Sequence, residues 1–458
     1  MLRELILGGM ITLVPCVAWA AQPANPNLCE KGKKLLAYFE SIYGKKTLAG
    51  YNVYPHTPDD YQQTGRRAAI WGRDIQWLGD VEEVISDVRL HGYILTLHWH
   101  WFLGGDSAWT HERKSPVDLA KLVTPGTSEY QTLMKELAAT ADVLDRLQKA
   151  GIVVLWRPLH EIDGGWFWWT DTNHPENTAE LWRIIFRYFT QERKLNNLVW
   201  VYSAGVGDLQ KKPPEWRRRF YPGEEYVDIS GIDIYGVDPQ NDEKPYWDYF
   251  QAMERVSPGK MLALCECDAI PNPNKMAQGK SPSWLYALPW WGCPHPRRSV
   301  PWARFTMGHE HIITLDELPV LVGNAFVPQL GILDPADDGT AWFADRAPVI
   351  AAYAVSRGSK VARLEFLADD RVVGSVDQPP PHFTWNWPAS LRGTYDLMAR
   401  AFDLDGRVNT SNRIHIAVGV QNVARGKPVR ASSGETPEGA VDGSYYSSWR
   451  AAKDAEDA

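Results

Sequence analysis

One short run of the sequence combines the residue types that acid catalysis needs. Residues 155–169 read LWRPLHEIDGGWFWW: an apolar, strand-like stretch ends at His160-Glu161, and two glycines and a group of tryptophans follow. Apolar surroundings disfavour the charged form of a carboxyl group, so Glu161 could keep its proton near neutral pH. Indole faces also stack on the apolar faces of sugar rings. The combination predicts acid catalysis on a carbohydrate.

A second carboxylate, Glu266, lies in the run LALCEC at residues 262–267, which predicts a buried strand. A lone charge in such a strand is costly unless it is paired or functional. Two carboxyl groups ~5–5.5 Å apart suit a retaining glycosidase, in which one attacks the anomeric carbon and the other protonates the leaving oxygen. We assign Glu161 as the acid/base, because its loop carries the indoles, and Glu266 as the nucleophile, held ionised by donors such as Tyr235 or Arg157. The alternative for Glu161 is a strand-end carboxylate paired with a Lys or Arg.

Strand-like and helix-like segments alternate between residues 30 and 322. The eight strand candidates are residues 46–52, 68–74, 93–101, 151–161, 197–205, 228–236, 260–268 and 284–292. Several are nearly continuous apolar runs, as in parallel strands covered on both faces. Helical spacing of apolar residues lies between them, most clearly at 128–149, with Ser128 as the expected cap. The pattern predicts an α/β fold, a (β/α)₈ TIM barrel over 21–322, whose chemistry lies at the C-terminal ends of the strands.

The 458 residues suffice for two or three domains, and the pattern changes after about residue 322. Short alternating segments are found at 349–355, 361–367, 372–376, 383–387, 395–402 and 414–418. Short strands at regular spacing predict an all-β sandwich over 323–420. We expect residues 421–458 to be the truncated start of a further module.

Composition and the N-terminus limit the classes of partner. A net charge of -8 argues against nucleic acid, which would require a basic patch. Residues 1–20 carry Arg3, an apolar stretch and Ala18-Trp19-Ala20, which predicts a secretory signal cut after Ala20. The apolar stretch is shorter than the ~20 residues that span a bilayer. We therefore expect a secreted protein, extracellular or periplasmic, that is a monomer and is not held in a membrane after cleavage.

Four cysteines remain after this signal: Cys29, Cys265, Cys267 and Cys293. In an exported chain they allow three disulfide pairings. A bridge from Cys265 or Cys267 to Cys293 and free buried thiols both stay open. If Glu266 points into the barrel mouth, alternation along the strand predicts that Cys265 and Cys267 point the other way, toward the helices.

Several blocks resemble glycoside hydrolase family 26, chiefly β-mannanases. Arg157-Pro158-Leu159-His160-Glu161, with Gly164-Gly165-Trp166 after it, resembles the acid/base signature, in which a His precedes the Glu. Residues 69–74, 97–101 and 228–236 resemble the second, third and sixth strands of the family. Residues 264–267 resemble the strand that carries the nucleophile, and residues 313–319 resemble the closing segment. The resemblance covers roughly residues 30–322, and the blocks agree in order. Two departures are the cysteines that flank Glu266 and the absence of a Pro-rich loop after His100.

The resemblance implies a barrel that cleaves internal β-1,4-mannosidic bonds of mannan or galactomannan with retention, without a metal or cofactor. Glu161 and Glu266 take the acid/base and nucleophile positions, and Tyr235 matches the tyrosine that orients the nucleophile. The substrate-binding candidates, which close the predicted strands or follow them, are His100, Arg157, His160, Trp166, Asp233, Tyr235 and Trp291. Trp166 matches a family tryptophan near the cleavage point. The tryptophans that could line further subsites or simply pack are Trp109, Trp168, Trp169, Trp290 and Trp291. Of these, Trp291 is the expected floor of the site, because it lies late on the eighth predicted strand. Residues 324–420 resemble a bacterial immunoglobulin-like domain and 422–449 the start of a discoidin-like carbohydrate-binding module.

Three alternatives remain at this point. Within the family, mixed-linkage β-glucan or β-1,3-xylan could replace mannan. His98-Trp99-His100 is a His-x-His pair on a predicted barrel strand, and some zinc hydrolase barrels bind metal with such a pair. However, those enzymes carry the pair on the first strand, with a Lys later, and no strand-end Lys is evident here. A non-catalytic polysaccharide-binding barrel would use the same indoles.

Overall fold

The structure is a computed structural model. It describes residues 22–52, 63–241, 243–292, 295–319, 328–335, 340–343, 348–356, 360–377, 381–404 and 406–420. The expected signal at 1–20, the expected third module at 421–458 and Cys293 lie outside these residues. The chain divides into two units: residues 1–81 with 94–313, which hold the barrel strands, and residues 82–93 with 314–458, which hold two mostly antiparallel sheets. In the described part of the chain, no helix is both long and apolar enough to cross a bilayer.

Eight parallel strands close into a barrel in the first unit. They are β1 (Thr47–Asn52), β2 (Ile70–Asp74), β3 (Ile94–His98), β4 (Val154–Arg157), β5 (Leu198–Ala204), β6 (Ile229–Ile234), β7 (Met261–Cys267) and β8 (Tyr286–Pro289). Each strand pairs with the next in chain order, and β1 pairs with both β2 and β8, which closes the ring. A short strand, β9 (Ile312–Ile313), adds to β1. The predicted (β/α)₈ barrel is confirmed, and every predicted strand position contains an observed strand.

Helices connect the strands. They are α1 (Glu30–Ile42), α2 (Val81–His91), α3 (Leu119–Leu122), α4 (Ser128–Lys149), α5 (Pro175–Arg187), α6 (Pro214–Arg218), α7 (Glu243–Val256), α8 (Pro273–Ala277) and α9 (Val300–Met307). Single 3₁₀ turns occur at Ile75–Trp77, Leu103–Gly105, Thr110–Glu112, Glu224–Tyr226 and Leu315–Glu317, and a π turn at Tyr188–Glu192 follows α5. The predicted helix 128–149 is confirmed, but its cap is Thr127, whose hydroxyl accepts from the Tyr130 amide, rather than Ser128.

The barrel strands are buried along nearly their whole length, because helices cover the outside and side chains fill the inside. Part of the tryptophan enrichment serves this core. Trp156 and Trp200 lie side by side on β4 and β5, and Trp182 of α5 packs 6.0 Å from the Trp200 ring. All three indoles are fully buried. Such tryptophans stabilise the barrel and are unavailable to a ligand.

The strands of the second unit form two sheets. Its strands are β10 (Gln329–Asp334), β11 (Thr340–Phe343), β12 (Val349–Val355), β13 (Val361–Ala368), β14 (Arg371–Val376), β15 (His382–Asn386), β16 (Gly393–Asp403), β17 (Val408–Thr410) and β18 (Ile414–Val420). One sheet has the order β10-β12-β15, and the other has β11-β18-β16-β13-β14, with β17 on β16. Leu364, Phe366, Phe383 and Trp387 belong to their shared apolar core. The all-β sandwich is confirmed, and its immunoglobulin-like topology stays a prediction.

Candidate active site

Polar side chains close five barrel strands at the same end. They are Asp74 on β2, His98 on β3, Arg157 on β4, Asp233 on β6 and Glu266 on β7. Each is at most 4% exposed. Parallel strands bring their C-terminal ends to one face of a barrel, so these groups share the mouth where barrel enzymes hold their chemistry. Buried ionisable groups need partners, and most of the site consists of those partners.

Arg157 is the centre of the first network. Its Nη1 donates to Asp233 Oδ2 at 2.9 Å and to Ser203 Oγ at 3.1 Å, and its Nη2 donates to Glu266 Oε1. The Tyr235 hydroxyl donates to the other oxygen of Glu266 at 2.7 Å. Glu266 therefore receives one cationic and one neutral donor, and both stabilise its ionised form. Burial raises the pKa of Asp233, an effect that Arg157 opposes.

A β-bulge precedes Glu266. Ile232 on β6 is in register with Leu264 on β7, but Asp233 is in register with Glu266, so Cys265 is an extra residue. A Cβ added to Gly231 on β6 would clash with the Cys265 thiol, so the thiol lies on that side of β6. The thiol and the Tyr286 hydroxyl form a hydrogen bond of 3.2 Å. This is the inner side of the barrel. The prediction that Cys265 points toward the helices is therefore wrong, because strict alternation does not survive a bulge.

Glu161 follows β4 on a strained backbone. Its φ is 50° and that of Leu159 is 48°, the left-handed region that non-glycine residues rarely adopt. Such strain is retained where surrounding contacts fix it, and it is common at functional sites. The Trp166 indole donates from Nε1 to Glu161 Oε2 at 2.6 Å. Burial and the charge of Glu266 raise the pKa of Glu161 to about 8, so the group is protonated at neutral pH.

The Trp166 indole packs closely against glycine backbone. A Cβ at Gly164 would stand 2.5 Å from the indole, and one at Gly205 would stand 2.9 Å from it and 3.3 Å from the Cβ of Glu161. Larger residues at these two positions would displace the ring. The sequence predicted that Trp166 lies near the reacting groups, and the structure brings it onto Glu161.

A second network joins Asp74 to the histidines. Asp74 Oδ2 accepts from the His100 amide at 3.2 Å, and it lies 2.5 Å from His100 Nδ1 and 3.3 Å from His98 Nε2. The His160 ring packs 4.5 Å from His100. Burial lowers the pKa of both His98 and His160, so these rings are neutral at neutral pH. Burial alone would raise the pKa of Asp74, but the two histidines hold it below its ordinary value.

The same network contains a group that could hold a metal ion. One ligand atom from each of Asp74, His98 and His100 lies within 4.8 Å of the others, and all three residues are buried. The carboxylate is also the hydrogen-bond acceptor of both histidines. The His-x-His pair recognised in the sequence is therefore one part of a polar cluster beside the two catalytic candidates.

The remaining tryptophans divide into packed and accessible ones. Trp168 and Trp169 are 3% and 0% exposed, and their indole nitrogens bond the backbone carbonyls of Trp101 and His160, so they pack. Trp109 is partly exposed and stacks 5.0 Å from His100. These contacts make Trp109 a wall of the mouth beside His100.

Two tryptophans follow β8. The Trp290 ring lies 5.3 Å from His98 and therefore adjoins the histidine network. The Trp291 ring lies 5.7 Å from Tyr235, and the His295 ring stacks on it at 4.7 Å. Trp291, which the sequence suggested as the floor of the site, thus contacts the tyrosine that holds Glu266, and part of its face is covered.

Comparison with known proteins agrees with this geometry. Residues 24–300 match the family model of glycosyl hydrolase family 26. The chain belongs to this family. A mannan endo-1,4-beta-mannosidase of Thermothelomyces thermophilus is 29% identical over 326 residues, 64% of this chain and 62% of that protein. One from Bacillus subtilis is 30% identical over 258 residues, 49% of this chain and 69% of that protein.

Solved mannanase structures share the barrel. One is a β-mannanase from a symbiotic protist of the termite Reticulitermes speratus, complexed with gluco-manno-oligosaccharide. It is 30% identical to this chain, and the superposition covers 65% of this chain and 97% of that chain with a TM-score of 0.57. The modular Cellulomonas fimi mannanase is 18% identical, and its superposition covers 86% of this chain and 99% of that chain with a TM-score of 0.55. At this identity the likeness supports the fold alone. The chain spans 50–62% of the length of the first three curated relatives.

Sequence reasoning missed some residues near the site. Trp77, in the turn after β2, is 47% exposed and lies 5.3 Å from the His100 ring. Ser203 on β5 bonds both Arg157 and Asp233, the latter at 2.9 Å. Each follows or ends an apolar run, so the rule that strand-end residues line the mouth would have found both.

Proposed function

We propose that this family 26 chain is a secreted endo-β-1,4-mannanase that cleaves mannan or galactomannan by retaining double displacement. Glu266 is the nucleophile and Glu161 the acid/base. The observation that carries the proposal is the contrast between the two carboxyl groups. Glu266 accepts from a guanidinium and a phenol, while Glu161 accepts from a neutral indole and has a pKa of about 8.

In the first step, a carboxylate oxygen of Glu266 attacks the anomeric carbon and forms a new C–O bond. The glycosidic C–O bond breaks, and Glu161 transfers its proton to the departing oxygen. The indole N–H is a donor only, so Oε2 of Glu161 accepts from Trp166 and the transferable proton belongs on Oε1. Tyr235 and Arg157 leave lone pairs free on Glu266, since each carboxylate oxygen can accept twice.

In the second step, the ionised Glu161 removes a proton from water, and the resulting hydroxide attacks the anomeric carbon. The bond to Glu266 breaks and its carboxylate is released, so both residues return to their starting states. Two inversions at one carbon give net retention. Once Glu266 is esterified it no longer carries the negative charge that raises the pKa of Glu161, which favours the ionised form needed for this step.

The substrate assignment rests on the relatives. The curated relatives are named mannan endo-1,4-beta-mannosidases, and one solved neighbour is complexed with a gluco-manno-oligosaccharide. We assign His100, His160 and Asp233 to the walls of the central subsite and Trp166 to the cleavage point. Mixed-linkage β-glucan and β-1,3-xylan are the alternatives within the family.

We further propose that the protein is exported after cleavage at Ala20 and acts as a monomer on polysaccharide, without nucleic acid or membrane partners. The sequence of residues 1–20 supports export. Mass spectrometry of the N-terminus of the exported protein tests the cleavage site, since any start other than residue 21 contradicts it. Light scattering tests the monomer.

The deciding experiment compares the parent with Glu161→Ala and Glu266→Ala on mannan, galactomannan, lichenan and xylan. We expect the parent to release manno-oligosaccharides, and each variant to lose about a thousandfold in kcat. Azide, which needs no general base, should trap a β-mannosyl azide from Glu161→Ala and an α-mannosyl azide from Glu266→Ala with an activated substrate. Equal hydrolysis by both variants and the parent would overturn the catalytic assignment, whereas a parent that binds these polysaccharides without cleaving them would favour a binding protein.

The other class of candidate is a zinc hydrolase built on Asp74, His98 and His100, because their ligand atoms lie within 4.8 Å of one another. In that case hydrolysis would require the metal and would survive loss of Glu266. Measuring the metal content of the purified protein, and its activity after chelation, separates the two mechanisms.

A further inference from the structure

Lys212 joins the two loops that surround the acid/base residue. It lies between β5 and α6, and its Nζ donates to the backbone carbonyls of Asp163 at 2.9 Å and Gly164 at 2.8 Å. Both carbonyls belong to the loop after β4 that carries Glu161. Hydrogen bonds from a cation are stronger than those between neutral groups. One partly buried side chain therefore fixes the backbone two and three residues beyond Glu161.

The same ammonium group lies over the indole that contacts Glu161. Lys212 Nζ is 5.4 Å from the centroid of the Trp166 ring, within the range of a cation–π interaction. Glycine backbone lines this indole at Gly164 and Gly205, and its Nε1 donates to Glu161. The glycine backbone, the Lys212 ammonium group and the Glu161 carboxyl group therefore restrict the position of the Trp166 ring together. Through this ring, Lys212 is connected to Glu161.

Arg217 of α6 holds Lys212 in this position. Its Nε donates to the Lys212 carbonyl at 3.0 Å, and its Nη1 donates to the Asp163 carboxylate and to the Gly205 carbonyl at 2.8 Å. The other carboxylate oxygen of Asp163 accepts from the Gly205 amide at 2.7 Å. The Arg217 and Asp163 side chains are both 0% exposed. The two loops therefore form one unit, in which Lys212 has a defined geometry.

We propose that Lys212 is a positioning residue for acid catalysis, which holds Trp166 and the 163–164 backbone so that the Glu161 carboxyl group meets the leaving-group oxygen. Lys212 does not touch the reacting atoms and acts through Trp166 and the loop. The inference rests on the proposed function. A side chain that only stabilised the fold would affect every substrate alike, whereas one that aims the acid affects only bond cleavage that needs a proton.

Substrates with leaving groups of different acidity distinguish a residue that positions the acid from one that only stabilises the fold. Dinitrophenolate departs without a proton, while phenolate needs one from Glu161. In a retaining enzyme, kcat/KM reports events up to the first bond cleavage, so it isolates acid catalysis. We expect Lys212→Met to lower kcat/KM for phenyl β-mannotrioside about tenfold, which is ~1.4 kcal/mol, and to leave the value for dinitrophenyl β-mannotrioside unchanged.

The matched control is Lys211→Met. Lys211 is the exposed neighbour, so the same charge is lost from the same loop, and we expect the parent ratio of the two kcat/KM values. The ratio cancels any inactive fraction of a variant. An unchanged ratio in Lys212→Met, or the same altered ratio in both variants, would overturn the proposal. If Glu161→Gln keeps the parent ratio on an active protein, the proposed function fails instead, because Glu161 is then not the acid.

Discussion

The hydrogen bond between the Trp166 indole and Glu161 should set the alkaline limit of activity. The donor stabilises the ionised carboxylate and so lowers the pKa of Glu161, which burial and the Glu266 charge raise to about 8. Trp166→Phe removes the N–H and keeps an aromatic face. Without the donor, the pKa of Glu161 should rise, and the protonated acid should persist to higher pH.

The size of the effect follows from the bond. A hydrogen bond to a charged group contributes about 1.5–3 kcal/mol, and 1.36 kcal/mol corresponds to one pKa unit. Glu161 is partly open to water, which replaces some of the lost interaction. We therefore expect the alkaline midpoint of kcat/KM to move upward by about one pH unit. KM should also rise, because the phenyl ring offers less stacking surface than the indole.

The assay is the pH dependence of kcat/KM on phenyl β-mannotrioside, with Trp168→Phe as the control. The Trp168 indole donates to the Trp101 backbone carbonyl at 2.7 Å, so its loss removes a similar bond without touching a carboxyl group. The pH profile of kcat/KM for dinitrophenyl β-mannotrioside should show no alkaline decline, because this substrate needs no proton from the acid. That difference assigns the alkaline decline to Glu161. A Trp166→Phe midpoint that stays in place or moves to lower pH would refute this reasoning.

Three further predictions follow from buried groups. Arg217→Met should destabilise the barrel by ~3–5 kcal/mol in urea unfolding, because it leaves the Asp163 carboxylate buried without its cation; a loss below ~1 kcal/mol would contradict this. Iodoacetamide should leave Cys265 and Cys267 unmodified in the native protein, since burial raises both thiol pKa values, that of Cys265 to about 12; mass spectrometry of the native digest checks this. Activity should survive dialysis against a chelator, because the Asp74 carboxylate already bonds its histidines; a loss restored by zinc would support the metal mechanism.

The catalytic candidates were predictable from the sequence because polar residues that end apolar strands are few. Glu161 and Glu266 each interrupt or close such a run, and eight strands in order place their ends at one mouth. The barrel follows from hydrophobic patterning, which does not depend on details of packing. The family resemblance added the role of Tyr235, which the structure finds bonded to Glu266.

Orientation and loop contacts were harder to predict. The inward position of Cys265 depends on a bulge that shifts register between β6 and β7, and the strand pattern of β7 carries no mark of it. Lys212 and Arg217 lie about 50 residues after Glu161 in a polar segment, and their partners become visible only when two loops meet. Trp166 and Trp168 have similar neighbours in sequence, yet one contacts the acid and the other packs.

In the proposed mechanism, Glu266 and Glu161 have different roles because their hydrogen-bond donors differ. Three carboxyl groups, Asp233, Glu266 and Glu161, interact electrostatically with the Arg157 guanidinium, which bonds the first two directly. Three negative charges beside one positive charge are unfavourable at low dielectric, so one carboxyl group keeps its proton. Glu161 is such a group, because its donor is a neutral indole rather than a cation and burial raises its pKa to about 8. Burial also raises the pKa of Asp233, against the opposing charge of Arg157. In the proposed mechanism, the donors around Glu266 therefore suit a nucleophile, and the surroundings of Glu161 suit an acid.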